Sequence, residues 1–224
     1  MILGIPTLVC YDRLTALIES AERGSVRPEK YVIVDNGRGL QSYWTYERPR
    51  KGPPVVNMEI AVPAENLGVA RSWNWLLRHA GNDSIVISND DILLGEHTLR
   101  DFERTLPEHA FVASEGFSLF GMTPACREKV GWFDENFYPA YFEDCDYHYR
   151  MHLAGLPGFG IDRPASHARS STLATAPPLE RQKIDHGFMK NREYYRQKWG
   201  GFQGEEKFTV PFDGKPPKGW KERG

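Results

Sequence analysis

The feature that most limits the possible folds of this chain is an apolar run that ends in two consecutive acids. Residues 84–87, with the sequence SIVI, lead directly into Ser88, Asn89, Asp90 and Asp91. A short run rich in β-branched residues is typical of a central strand in a parallel sheet. In an open α/β sheet, ligands bind beyond the carboxyl ends of such strands. We therefore expect Asn89, Asp90 and Asp91 to line a crevice.

The two adjacent carboxylates suggest a cation. They repel each other unless a positive charge lies between them or one of them binds a proton. Hard oxygen ligands suit Mg²⁺ or Mn²⁺, which proteins usually share with a substrate phosphate. The alternative is a loop in which Asp90 caps a helix and Asp91 is solvated, and these four residues alone do not distinguish the two interpretations.

The N-terminal part of the chain predicts a βαβ unit. Residues 2–9 form the first expected strand, and its Pro6 and Thr7 belong at the strand's exit because a central proline costs a sheet hydrogen bond. A helix with apolar residues at helical spacing follows and ends at Gly24, and residues 31–34 form a second apolar strand that leads into Asp35. A right-handed βαβ unit would bring Thr7 and Asp35 to the same edge of the sheet.

The remaining pattern continues the alternation of strands and helices. Strands are expected at 55–60, 110–113 and 117–120, with helices starting near 69 and spanning 96–106 and 191–200. Residues 40–54 are interpreted as a surface connection, and residues 201–224, rich in Lys, Gly and Pro, as a loosely held extension. At 224 residues the chain suits a single domain, and the alternation of strands and helices predicts an α/β class with a parallel central sheet flanked by helices.

Composition excludes several classes of function. Lys and Arg total 28 and Asp and Glu total 30, a net charge of −2, so no strong positive field favours nucleic acid or anionic lipid. The three cysteines, at positions 10, 126 and 145, form no disulfide or zinc pattern and indicate a reducing, cytoplasmic location. The N-terminus lacks the basic start of a signal peptide, and no run is long enough for a membrane span.

A second group of acids follows an aromatic segment in the C-terminal half. Glu143, Asp144 and Asp146 come at the start of an expected helix that ends at Gly155. Acids in a first turn complement the helix dipole, which accounts for about two of the three. The aromatic residues Trp132 and Tyr141 are candidates for stacking on a sugar ring, with plain packing as the alternative.

Taken in order, these motifs resemble family 2 glycosyltransferases of the GT-A fold. The resemblance implies a Rossmann-like single domain whose central sheet is mixed but mostly parallel. The resemblance covers about residues 2–200 and rests on seven segments in the family's order. They are Ile5-Pro6-Thr7, Val34-Asp35-Asn36-Gly37, Asn66-x-Gly68-x-Ala70, Asn89-Asp90-Asp91, Gly131-Trp132-Phe133-Asp134-Glu135, Phe142-Glu143-Asp144-x-Asp146, and Lys198-Trp199-Gly200 after a segment containing His167.

The resemblance implies an inverting, metal-dependent transfer of a sugar from a UDP-, dTDP- or GDP-linked donor to a hydroxyl of an acceptor such as a glycan or a protein. It divides the domain into a nucleotide-sugar-binding half, 1–110, and an acceptor-binding half, 111–200. It implies Asp144 as general base, and Asp91 and His167 as ligands of Mn²⁺ or Mg²⁺. The implied donor contacts are Pro6, Thr7, Asp35, Asn66, Gly68, Arg71, Asn89, Asp90, Ser170 and Ser171, and the implied acceptor contacts are Trp132, Tyr141 and Glu143.

Two positions depart from the family pattern: Asn89 stands where the acidic triplet begins with Asp, and Arg38 stands where a serine is common.

Two other functions share the fold's nucleotide-binding half. A sugar-1-phosphate nucleotidyltransferase normally needs a glycine-rich basic loop after the first strand, and the segment from Pro6 to Arg13 has no glycine. A non-catalytic relative would bind a sugar or partner without turnover, and the combination of Asp91, Asp144 and His167 argues against it.

Overall fold

A computed structural model describes residues 1–47, 57–161, 166–167 and 178–221. Its strands are β1 (Ile2–Thr7), β2 (Lys30–Asp35), β3 (Met58–Ala61), β4 (Ile85–Ser88), β5 (Ile92–Leu93), β6 (Phe111–Ala113), β7 (Leu119–Met122), β8 (Phe159–Gly160) and β9 (Ser166–His167). Its α-helices are α1 (Tyr11–Glu22), α2 (Leu40–Ser42), α3 (Gly68–Ala80), α4 (Thr98–Thr105), α5 (Pro124–Val130), α6 (Glu143–Leu153) and α7 (Pro178–Trp199).

Seven strands form one sheet in the order β3-β2-β1-β4-β7-β6-β8. Strands β1 to β4 run parallel, and β7 is antiparallel to both of its neighbours, which confirms a mixed, mostly parallel sheet. In the β1–β2 pairing Thr7 lies opposite Asp35, so both strands end at the same edge as predicted. Pro6 and Thr7 are the last two residues of β1, where the missing amide of proline does least harm.

Apolar side chains cover both faces of the sheet. Along β2, Tyr31 and Ile33 pack into one buried cluster, whereas Val32 and Val34 pack into another. The first cluster contains the inner faces of α1 and α4, and the second contains those of α3, α5 and α6. Strands buried on both faces explain why the sequence shows continuous apolar runs instead of alternation. The two layers form a single domain.

Two boundary expectations were too simple. The strand expected at 117–120 begins at Leu119, because the chain turns at the preceding residues, where the Ser118 amide donates to the Glu115 carbonyl. The expected surface connection after residue 40 begins instead with α2 and a π-helical turn, Tyr43–Glu47. Leu40 and Trp44 are buried there against the first cluster, and residues 48–56 lie outside the described part of the chain.

Helix α7 is much longer than the predicted 191–200 segment, since it begins at Pro178. Its N-terminal half contains Gly187, which usually weakens a helix interior by about 1 kcal/mol and therefore hid the pattern. The glycine is there because of a close approach: a Cβ at this position would lie 2.5 Å from Cδ of Pro139. Helix α7 thus packs directly on the loop that precedes α6.

The expectation of a loosely held C-terminal extension is wrong for residues 201–221. The amides of Lys207 and Phe208 both donate to the Trp199 carbonyl, and the Tyr149 hydroxyl donates to the Phe208 carbonyl. Further along, the indole N–H of Trp220 donates to the Tyr194 hydroxyl. Aromatic residues spaced along a polar segment anchor it to α6 and α7, a pattern with no helical or strand period for a sequence to reveal.

Among the described helices, none combines the length and the apolar character that crossing a lipid bilayer requires.

Candidate active site

The acids after β4 are buried at the carboxyl end of the strand. The Asn89 amide donates to the Ser118 carbonyl, which fixes the chain as it leaves the sheet. Asp90 and Asp91 are only 5% and 8% exposed, and the next helix begins at Thr98. The alternative in which Asp90 caps a helix and Asp91 is solvated is therefore wrong.

Asp90 is tied to the neighbouring strand. Its Oδ2 accepts a hydrogen bond of 2.7 Å from the Thr7 hydroxyl at the end of β1. Burial raises the pKa of Asp90 to about 7, the Thr7 hydrogen bond acts in the opposite direction, and the carboxylate of Asp91 adds to the rise. Two acids held side by side in a poorly solvated edge form a region that attracts a cation.

Asparagine side chains build the neighbouring loop at the start of α3. The Leu67 amide donates to Asn36 Oδ1 and the Gly68 amide donates to Asn66 Oδ1, at 2.9 and 2.8 Å. Gly68 has a φ of +72°, and a Cβ there would lie 2.6 Å from the Pro139 carbonyl oxygen. Glycine is required at this position because the amide of the next residue, Val69, donates to that same carbonyl. The loop therefore brings the two halves of the domain into contact.

The second acidic group opens α6 on the opposite side. Tyr141 and Phe142 both have positive φ, 77° and 73°, and turn the chain abruptly into the helix. Asp144 is half-buried, and its Oδ1 accepts a hydrogen bond from the Cys145 amide. Glu143 is buried, and its Oε2 has no hydrogen-bond partner among the described residues. Burial raises the pKa of Glu143 to about 8, with a further contribution from the charge of Asp144.

A cleft of about 510 Å³ lies between these groups. Ten of the predicted site residues line it: Pro6, Thr7, Asn66, Gly68, Asn89, Asp90, Asp91, Tyr141, Glu143 and Asp144. The structure thus brings together the edge of the parallel strands, the start of α3 and the start of α6. It does not by itself test the roles assigned to these residues, which stay predictions.

Three predicted residues do not line this cleft. Asp35 is 1% exposed, and its carboxylate accepts hydrogen bonds from the Tyr11 hydroxyl and from the amides of Arg38 and Leu40, so it fixes the loop after β2. Arg71 lies over the ring of Tyr138 and pairs with Glu65 and Glu135. The ring of Trp132 lies near the guanidinium groups of Arg78 and Arg127, at 4.9 and 5.9 Å, and packs against the second cluster. Trp132 therefore packs outside the described cleft, and its role as an acceptor contact stays a prediction.

Three further predicted residues cannot be placed in the same way. Ser170 and Ser171 lie outside the described residues. For His167 the backbone is described: β9 pairs antiparallel with β5, and His167 lies opposite Ile92, the residue after Asp91. The backbone of His167, distant in sequence, thus lies next to the segment that follows Asp90 and Asp91.

The cleft also contains residues that the sequence did not single out. They include Trp73, Glu115, Gly116, Phe117, Ser118, Pro139 and Ile184. Trp73 lies on the buried face of α3, and a helical period gives the direction of such a side chain but not its depth. Segment 115–118 was interpreted as partly a strand, and its Gly116 in a polar stretch was the available signal of a turn.

The cleft is lined by acidic side chains and by no basic one among the described residues. Its lining includes the five acids Asp90, Asp91, Glu115, Glu143 and Asp144, and among the described lining residues none is Lys, Arg or His. An anionic ligand would be repelled unless a cation accompanied it. The described residues contain no group of three or more His, Cys, Asp or Glu that could by itself hold a metal. An ion bound by one or two carboxylates and completed by ligand phosphates needs no such group, and Asp91 beside Asp90 fits that kind of site.

We expect Glu143→Gln to stabilise the free protein at alkaline pH. Folding raises the pKa of this carboxyl from 4.5 to about 8, so the folded state binds the proton more tightly than the unfolded state. The free energy of unfolding therefore falls as pH rises through this window, by up to about 1.4 kcal/mol per pH unit. Glutamine removes the dependence, so the melting temperature of the variant should exceed that of the wild type at pH 9 and match it near pH 4.

The control for this experiment is Glu108→Gln, which changes an exposed glutamate outside the cleft. Its melting temperature should follow that of the wild type across the range. Parallel profiles for the two variants would contradict the burial of a raised-pKa carboxyl at position 143.

Comparison with known proteins supports the fold. No protein-family model and no curated protein matches the sequence. Several solved structures are similar to this chain. One is a mannosyltransferase, PcManGT from Pyrobaculum calidifontis in complex with GDP-Man and Mn²⁺, with a TM-score of 0.60 and 17% sequence identity over 84% of this chain. A second is S. aureus TarS 1-349, with a TM-score of 0.56 and 13% identity over 87% of this chain. The complex of TarS 1-349 with UDP-GlcNAc has a TM-score of 0.52 and 15% identity over 76% of this chain.

The chain spans 63% of the mannosyltransferase chain and 72% and 60% of the two TarS chains. At these identities the likeness establishes the fold, which is that of GT-A-type glycosyltransferases, and confirms the predicted fold class.

Proposed function

We propose that this GT-A-fold chain is a glycosyltransferase that moves a sugar from a nucleoside diphosphate to an acceptor hydroxyl with inversion at the anomeric carbon. The observation that carries the proposal is that one cleft collects two acidic pairs from distant segments, Asp90 with Asp91 and Glu143 with Asp144. Structural neighbours that hold GDP-Man and UDP-GlcNAc support a nucleotide-sugar donor.

The donor would bind along the edge formed by β1, β4 and the start of α3. Thr7 and Asp90 fix the edge through their hydrogen bond, and Asn66 and Gly68 hold the backbone that faces the cleft. Asp91 would hold a divalent ion shared with the diphosphate, with His167 as a second candidate ligand. When bound, such an ion neutralises the charge that grows on the leaving diphosphate. The Mn²⁺ in the mannosyltransferase complex supports this choice.

Asp144 would act as the general base. An acceptor hydroxyl is a weak nucleophile, so a carboxylate must take its proton while the oxygen attacks the anomeric carbon. The bond from that carbon to the phosphate oxygen breaks as the new glycosidic bond forms, and the nucleoside diphosphate departs. Because attack and departure occur on opposite faces, a single displacement inverts the configuration without a covalent intermediate. Tyr141, which lines the cleft next to α6, would contact the acceptor.

A thermal-shift titration tests the nucleotide site. A ligand at 100 times its dissociation constant adds about 2.7 kcal/mol of stability, or about 5 to 10 °C in melting temperature for a chain of this size. We expect this shift with UDP, GDP or dTDP, or their sugar conjugates, in the presence of Mn²⁺ and a much smaller one with EDTA. Asp91→Asn should lose the part of the shift that depends on Mn²⁺.

The matched control is Asp83→Asn, which changes an exposed aspartate just before the opposite end of β4. It should keep the full shift. The proposal would be overturned if no nucleotide or nucleotide sugar raised the melting temperature of the wild type in the presence of Mn²⁺. It would also be overturned if the protein consumed none of these nucleotide sugars when incubated with glycan or protein acceptors. If Asp83→Asn and Asp91→Asn lost the Mn²⁺-dependent part of the shift equally, Asp91 would not be the metal ligand.

A further inference from the structure

Two buried polar atoms of the cleft-lining residues lack a hydrogen-bond partner among the described residues. They are Nε1 of Trp73 and Oε2 of Glu143. Trp73 is 3% exposed and Glu143 is 5% exposed, so bulk solvent does not readily satisfy either atom. The indole nitrogen can only donate, whereas a carboxyl oxygen can accept and, when protonated, also donate.

Such atoms are costly and therefore informative. Folded proteins pair nearly all of their buried polar groups, and an exception calls for an explanation. Here both exceptions belong to residues that line one cleft, and together they comprise one donor and one acceptor. A hydroxyl group both donates and accepts, so a ligand with several hydroxyls can satisfy both atoms at once.

The surroundings of Trp73 favour a sugar. Its indole is held by three rings, with centroids 6.1 Å from Phe117, 5.2 Å from Phe120 and 4.9 Å from Phe133. Phe117 also lines the cleft and so adds an apolar wall beside the polar atoms. A wall of this kind suits the C–H face of a sugar ring. A phosphate would be disfavoured beside Glu143, because Asp144 and Glu115 also line the cleft.

The position of the pair points to the sugar that is transferred. Trp73 lies on α3 five residues after Gly68, on the side proposed for the donor, and Glu143 lies on α6 beside Asp144, the proposed base. A group between them would lie between the proposed position of the donor diphosphate and the proposed base. We propose that Trp73 and Glu143 bind hydroxyl groups of the transferred sugar, which replaces the sequence-based assignment of Glu143 to the acceptor. This inference rests on the proposed function.

The test compares the affinity for a nucleotide sugar with that for the same nucleoside diphosphate, both with Mn²⁺, by calorimetric titration. Trp73→Phe keeps an aromatic ring and removes the N–H. We expect its affinity for the nucleotide sugar to fall about 2- to 12-fold, the effect of losing one hydrogen bond, while its affinity for the nucleoside diphosphate stays within twofold. The matched control is Trp75→Phe, which alters a half-buried indole on the same helix that stacks on His79.

Glu143 is tested with two variants. Glu143→Gln keeps a group that both donates and accepts, and Glu143→Met removes it while keeping the approximate volume. We expect the sugar-dependent part of the affinity to be kept within about threefold in the glutamine variant and lost in the methionine variant. Both should bind the nucleoside diphosphate as the wild type does.

The outcomes separate the inference from the function on which it rests. A wild type that binds no nucleotide sugar overturns both. If the wild type binds a nucleotide sugar, only the inference is overturned when Trp73→Phe lowers the affinities for nucleotide sugar and nucleoside diphosphate equally. The same holds when it lowers neither affinity. Equal affinities for the sugar in Glu143→Gln and Glu143→Met would likewise remove Glu143 from the sugar site.

Discussion

Replacing Asp144 by asparagine is expected to slow glycosyl transfer by about 10²- to 10⁴-fold while leaving donor affinity within a few fold of the wild type. Asparagine cannot accept the proton of the acceptor hydroxyl at neutral pH. Its side-chain oxygen can still accept the hydrogen bond from the Cys145 amide that Asp144 Oδ1 accepts at 2.8 Å, so the side chain should keep its place. The loss should therefore appear in kcat and not in nucleotide-sugar binding.

The measurement pairs single-turnover transfer with titration of the donor under the same conditions. The control is Asp185→Asn, which removes an exposed carboxylate of α7 whose charge also acts on Tyr141. If Asp185→Asn slows transfer as much as Asp144→Asn, the effect is one of charge in the cleft and not of proton transfer. A variant Asp144→Asn that no longer binds donor would count against its assignment as base.

The edge of the sheet was predictable because it depends on local pattern. Each apolar run of the βαβ unit is long enough to be a strand, and parallel strands must end at one edge, so the neighbouring positions of Thr7 and Asp35 followed from topology. The same reasoning placed Asp90 and Asp91 in the crevice. The burial that raises the pKa of Asp90 could not be predicted, because it depends on the layers packed around the edge.

Side-chain contacts between distant segments were not predictable. Glu143, Asp144 and Asp146 looked like one acidic helix start, yet Glu143 and Asp144 line the cleft whereas Asp146 is fully buried in an ion pair. Helix periodicity cannot separate these roles, because each one depends on what packs against the helix from elsewhere. The position of Trp132 near Arg78 and Arg127 has the same origin.

The buried partner of Asp146 is Lys198, near the end of α7. The Nζ atom of Lys198 lies 2.8 Å from Asp134 Oδ2 and 2.6 Å from Asp146 Oδ1, and all three residues are at most 2% exposed. Trp199 donates to Asp146 Oδ1 and Arg150 pairs with Asp146 Oδ2, both at 2.9 Å. This network ties the end of α7 to the first turn of α6, two residues after the proposed base.

We expect Lys198→Met to lower the free energy of unfolding by about 3–5 kcal/mol, the usual effect of breaking a buried ion pair by removing one partner. Asp134 and Asp146 would stay buried, and Arg150 would remain as a cation paired with Asp146 alone. For a chain of this size the change corresponds to a fall of about 6 to 20 °C in melting temperature. Lys190→Met, at an exposed position of the same helix, should change the free energy by less than about 0.5 kcal/mol.

The dependence on pH distinguishes an ionic cause from lost packing. Burial by itself raises the pKa of Asp146, but Lys198 and Arg150 outweigh it and hold the pKa below its usual value of 3.8. A carboxyl with a lowered pKa contributes stability above its unfolded pKa and loses it as pH falls through the folded one. Without Lys198 the pKa of Asp146 rises, so as pH falls this carboxyl becomes protonated in the variant before it does in the wild type. The difference in free energy of unfolding between the two proteins should therefore become smaller below about pH 5. The measurement is urea unfolding of both proteins from pH 7 to pH 4. A constant difference between their free energies of unfolding would assign the loss to packing. The same conclusion would follow if adding Asp134→Asn to Lys198→Met failed to restore part of the lost stability.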